Sequence, residues 1–109
     1  MNEDSQIVVP DSFINLYRSP GRVKLSAPRH EIAQRYEFCE DLATLLTEHA
    51  RAMQFDLGID EAAVLERCHR GLLSPDSGVS APESVWVLRR LAELLDWPDP
   101  GALEAPPAG

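Results

Sequence analysis

The stretch from Pro28 to Leu57 constrains this chain more than any other. Apolar or small residues recur there at Ile32, Tyr36, Cys39, Ala43, Leu46, Ala50, Met53 and Leu57, in alternating steps of four and three. That rhythm is the seam of a helix packed in coiled-coil fashion. Phe38, Leu42, Leu45 and Ala52 widen the stripe to about 200° of the helix, a face broad enough for more than one neighbour. Ser26 is placed to cap the helix, Pro28 suits its first turn, and Glu31 stands near the free amides. The helix runs to Met53 or Leu57, and Gly58 ends it as a left-handed residue would. At 1.5 Å per residue it is about 40 Å long. A globule of this size has a radius of gyration of only about 13 Å. The helix therefore protrudes or is covered, and a second copy of the chain is the commonest cover.

Two further helices and a short fourth complete an all-α reading. Asp60 caps a helix with Val64, Leu65, Cys68 and Leu72 inward, stopped near Gly71 and the Ser74–Gly78 loop. Ser80 and Glu83 form a capping box, with Pro82 in the first turn, for a helix reaching Asp96. Its apolar half carries Val85, Val87, Leu88, Leu91, Ala92, Leu94 and Leu95, and Pro98 and Pro100 forbid continuation. Asp11 to Arg18 supports two helical turns bearing Phe13, Ile14, Leu16 and Tyr17. Ile7–Val9 and Val23–Leu25 offer at most a small ladder. The expected architecture is a small helical bundle: three main helices and a short N-terminal one, built on one long central helix. Residues 1–9 read as a flexible arm, 10–97 as a single helical domain, and 98–109 as a disordered Pro- and Ala-rich tail.

With 109 residues, a 44% hydrophobic content and a net charge of −8, the chain suits one packed domain. The acidic balance argues against a general binder of nucleic acid or anionic membrane. The polar, acidic start resembles no secretory signal, and no run approaches the ~20 apolar residues of a membrane span. Two cysteines are too few for a disulfide framework. A cytoplasmic protein with reduced thiols is expected.

Catalytic patterns are missing. There is no phosphate-cradling glycine loop, G-x-S-x-G elbow, H-E-x-x-H pair or calcium loop. Cys39, His49, Cys68 and His69 lack paired zinc-ligand spacing, and adjacent Cys68 and His69 point about 100° apart on a helix. Both cysteines read as small hydrophobes, His49 as a hydrogen-bonded core or seam residue, and His30 and His69 as surface or boundary residues. No catalytic residue, metal or cofactor is assigned. A helix-turn-helix reading meets two obstacles. The Leu73–Ser80 connection exceeds a 3–4-residue turn, and Glu83, Ser84 and Trp86 would be the base-reading positions.

Two surfaces remain as candidates. Arg18, Arg22, Lys24, Arg29 and Arg35, opposed only by Glu31, give their segment a formal +4 and leave −12 for the rest. They either neutralise the acidic bundle of their own chain or of its dimer mate, or form a docking patch for an acidic protein segment or a nucleotide phosphate. Trp86 falls within the polar arc of its helix, beside Arg89, Arg90 and Glu93, with Trp97 close by. Such a ring is covered, with Phe13, Ile14, Leu16 and Tyr17 as the candidate cover, or it is a recognition anchor. Cover is the favoured reading. The dimer or core seam is assigned to Ile32, Tyr36, Cys39, Leu42, Leu46, His49 and Met53.

The segments Val9–Tyr17, Arg35–Leu42, Thr47–Ala50 and Trp86–Leu91 together resemble a group of short proteobacterial proteins labelled "ATPase with chaperone activity". The resemblance spans about residues 9–97 and implies a bacterial cytosolic protein. It brings no catalytic motif, so the label is consistent with association with a larger ATPase or chaperone, and no functional residue is carried over from it. The resulting expectation is a non-catalytic interaction module, an adaptor, small chaperone or regulator, that binds another protein through a helical surface. A helix-turn-helix-like DNA-binding regulator and a nucleotide-binding or ATPase-associated protein are the alternatives.

Overall fold

The computed structural model describes residues 8–18 and 24–101. The fold is all-α, in the order α1 (Asp11–Ile14), α2 (Arg29–Leu57), α3 (Glu61–Leu72) and α4 (Ala81–Leu95). Short 3-10 turns follow α1 (Asn15–Tyr17) and precede α4 (Pro75–Ser77). No strand occurs among the described residues; a single antiparallel bridge joins Arg18 to Leu25. Backbone packing divides the chain into two units, Met1–Phe38 and Cys39–Gly109, with the boundary inside α2.

In the N-terminal unit, Pro10 accepts the amides of Phe13 and Ile14 and so starts α1. Phe13 is fully buried, with the Tyr17 and Tyr36 rings 5.6 and 5.7 Å away. The backbone then returns, and the Ser26 amide donates to the Tyr17 carbonyl at 2.7 Å. Ser26 lies two residues before Pro28, which precedes the helix, so its hydroxyl is not at the cap position. The helix begins from Pro28, whose carbonyl accepts the Glu31 and Ile32 amides. Of the expected ladder between residues 7–9 and 23–25, Ile7 and Val23 lie outside the described residues, and the described ones show the Arg18–Leu25 bridge.

The C-terminal unit holds the rest of α2 together with α3 and α4. Gly58 closes α2 at φ +63°, its amide donating to Gln54. The Asp60 carboxylate accepts the Ala63 amide at 2.8 Å and caps α3. Ser80 and Glu83 form the reciprocal box at the start of α4, at 3.2 and 2.8 Å. Asp96 ends α4 in the left-handed region at φ 59°, a role the sequence reading left to Pro98. The inward faces are Val64, Leu65, Cys68 and Leu72 on α3, and Val87, Leu88, Leu91, Ala92 and Leu95 on α4. Val85 and Leu94, expected inward, are half-buried. The buried arc of α4 is instead centred on the side carrying Ser84, Leu88, Leu91 and Leu95.

Candidate functional site

Along α2, burial follows a narrow line. Ile32, Cys39, Ala43 and Ala50 are buried, while Tyr36, Leu42, Leu46 and Met53 are half-buried. The stripe expected to need a second chain is thus partly covered by the chain itself. His49, assigned to the seam, is exposed. At about 100° per residue it sits some 100° from the line through Ile32 and Ala50, outside the covered arc. After Ile32, the buried residues on this line are Cys39, Ala43 and Ala50, and several large apolar side chains of α2 are exposed. Leu45 is 73% exposed, Phe55 87% and Leu57 52%.

Leu42, Leu45, Leu46, His49, Ala52 and Met53 form one ridge, spaced i, i+3, i+4, i+7 and spanning about 120° of the helix. Asp41 and Glu48 line its outer edge, and Asp56 lies at its C-terminal end. All three carboxylates are exposed, and none makes an ion pair among the described residues. Glu40, on the opposite flank of α2, is engaged. Arg90 of α4 grips it with Nε at 2.9 Å from Oε1 and an Nη2 donor at 2.9 Å from Oε2, and also meets Glu93 at 3.0 Å. The Glu40 hydrogen bond, foremost, holds the Arg90 guanidinium protonated above its ordinary range.

The aromatic and arginine set assigned to partner binding is distributed differently. Trp86 is 9% exposed and Phe13 is fully buried, so both rings are covered. Tyr17 and Trp97 are half-buried, and Arg90 is committed to Glu40 and Glu93. Arg89 is exposed and donates to the Gly101 carbonyl at 3.0 Å. The anchor option for Trp86 therefore closes.

The basic patch belongs to the N-terminal unit. Arg18, Lys24 and Arg29 are exposed and make no ion pair among the described residues. Arg35 lies over the Phe38 ring at 4.9 Å, a cation–π pair. Arg22 lies outside the described residues. A cavity of about 470 Å³ is lined by Val9, Ile14, Leu25, Arg29, His30, Ile32, Ala33, Gln34 and Glu37. Of the described cations of the patch, Arg29 lines it.

His69, expected at the surface, is 7% exposed, and its Nε2 has no hydrogen-bond partner. Its position four residues after Leu65 and three before Leu72 on the inward face of α3 was the available signal. Cys39 and Cys68 are buried thiols, and burial pushes the Cys68 thiol up. No cluster of three or more potential metal ligands occurs among the described residues. No described helix is long and apolar enough to cross a membrane. No protein-family model, curated protein or solved structure matches the chain.

Proposed function

We propose that this protein is a non-catalytic, cytoplasmic interaction module, an adaptor, small chaperone or regulator, that docks another protein on the ridge of α2. The observation carrying this reading is Leu45, a large aliphatic side chain 73% exposed in the middle of a helix, among apolar neighbours at helical spacing. A large aliphatic side chain left in water at mid-helix, flanked by the half-buried Leu42 and Leu46, marks a candidate interaction surface. The covered line of α2 supports the same reading. Cys39, Ala43 and Ala50 are fully buried on one side of α2, while Leu45, on another side, stays exposed.

Burial of the first turns of α4 weighs against a helix-turn-helix reader. Glu83, Ser84 and Trp86 would have to present base contacts, and all three are buried. The resemblance to proteins labelled "ATPase with chaperone activity" fits a module that serves a larger ATPase or chaperone.

Site-specific photo-crosslinking in the native cell tests the proposal. A photoreactive residue at position 45 is expected to give a discrete adduct with another protein, and the same residue at Glu66, exposed on α3, is expected to give none. Equal yields at both positions, or none at position 45, would overturn it.

A further inference from the structure

We infer that the occupant of the α2 ridge is a basic amphipathic helix. This rests on the docking role proposed above and adds the chemistry of the partner. The ridge residues Leu42, Leu45, His49 and Ala52 follow steps of three and four, the a and d spacing by which one helix receives another lengthwise. A strand or irregular peptide would not match that period over two turns and more. A helix laid in this seam places its own flanking residues against Asp41 and Glu48, seven residues apart on one edge, and meets Asp56 at the end.

Charge chooses among helices. The three carboxylates are exposed, and no cation of this chain neutralises them among the described residues. The nearest arginine along the helix, Arg51, lies about 60° to 80° beyond the acidic edge, away from the ridge. Lys or Arg side chains two turns apart on an incoming helix would meet both edge carboxylates, where a dry apolar centre strengthens the attraction. A second copy of this chain fits less well. In an antiparallel pair the Asp41–Glu48 edges face each other, and in a parallel pair Asp56 meets its twin. Each copy also carries −8 overall.

The test uses the full chain and three labelled synthetic helices of about 20 residues, long enough to fold on contact. All three carry Leu at a and d; their flanks carry Lys, Gln or Glu. Fluorescence anisotropy should show the Lys helix binding roughly tenfold more tightly than the Glu helix, with Gln between. Leu45→Asp should weaken the Lys helix by a similar factor while leaving the circular-dichroism melt unchanged, because Leu45 is exposed. The double variant Asp41→Lys, Glu48→Lys should reverse the order, whereas Glu66→Lys, Asp76→Lys, which changes net charge equally, should keep it.

Several results would overturn the inference. Equal binding of all three helices, sensitive to Leu45→Asp, keeps the docking ridge and removes the basic partner. Lys-helix binding that ignores Leu45→Asp is attraction to net charge alone. Sedimentation at the mass of two chains, reverting to one with Leu45→Asp, gives the ridge to a second copy. No binding of any helix, with a single-chain mass throughout, removes both the partner chemistry and the docking role.

Discussion

α4 and the C-terminal half of α2 are both rich in leucine, and the chain uses them in opposite ways. On α4 the large residues Leu88, Leu91 and Leu95 point inward, and Ser80 and Glu83 secure the helix start. On α2 the fully buried residues are Cys39, Ala43 and Ala50, while Leu42 and Leu46 are half-buried and Leu45 is exposed. Ordinary folding economy would reverse α2, since a buried leucine stabilises a fold far more than a buried alanine. With Leu42 and Leu46 half-buried and Leu45 exposed, α2 keeps apolar surface outside the packing of its own chain, and that is the surface proposed above for a partner. The difference separates a structural helix from an offered one.

The sharpest way to break that contrast is to truncate both kinds of leucine. Leu88→Ala or Leu91→Ala should cost about 2–5 kcal/mol, by lost burial and the cavity left behind. Leu45→Ala should stay within about 0.5 kcal/mol, as exposed substitutions do. Urea unfolding at constant m-value measures both. A Leu45→Ala loss in the core range would mean that the ridge is already covered in the isolated chain.

His69 sharpens the internal side of the comparison. Its Nε2 is buried without a partner, so the imidazole is held in the bundle by packing alone. An unsatisfied buried polar atom costs about 1–3 kcal/mol. His69→Leu should therefore hold or raise stability, by roughly 1 kcal/mol in the favourable case. A clear loss would show that Nε2 has a role the fold conceals.

Much of this arrangement was legible in the residues. Asp60, Ser80 with Glu83, and Gly58 signal helix ends through local chemistry, and each acts within its own turn. The inward face of α3 was equally plain, because one buried stripe on a short helix admits one solution. α2 was harder. Its apolar arc of about 200° merges two faces, and periodicity alone cannot say which face the chain covers itself. Ser26 and His49 were misplaced for related reasons. The helix starts at Arg29, two residues later than a Ser26 cap requires, where the segment returning past Tyr17 ends, and His49 lies on the face that the chain leaves open. Burial of Trp86 among charged neighbours on its own helix is likewise decided by packing, which a helical wheel does not contain.

The finest test lies on the flank of α2 opposite the ridge, where Glu40 meets Arg90. The pair is bidentate, at 2.9 Å on each oxygen, and both side chains are partly shielded. Exposed ion pairs contribute about 0.2–1 kcal/mol, and a fork-on-carboxylate geometry belongs at the upper end. A double-mutant cycle with Glu40→Gln and Arg90→Gln should return a coupling of about 1 kcal/mol. The Arg90–Glu93 contact survives in Glu40→Gln, so the cycle isolates the link from α4 to α2. The analogous cycle of Glu48→Gln with Arg51→Gln, on the outer side of α2, should return about zero, because those charges are unpaired in the free chain. Adding the Leu/Lys helix should then make Glu48→Gln costly for binding while leaving the Glu40–Arg90 coupling unchanged. If the helix instead alters the Glu40–Arg90 term, the two flanks of α2 are not independent, and the division between its internal and external partners fails.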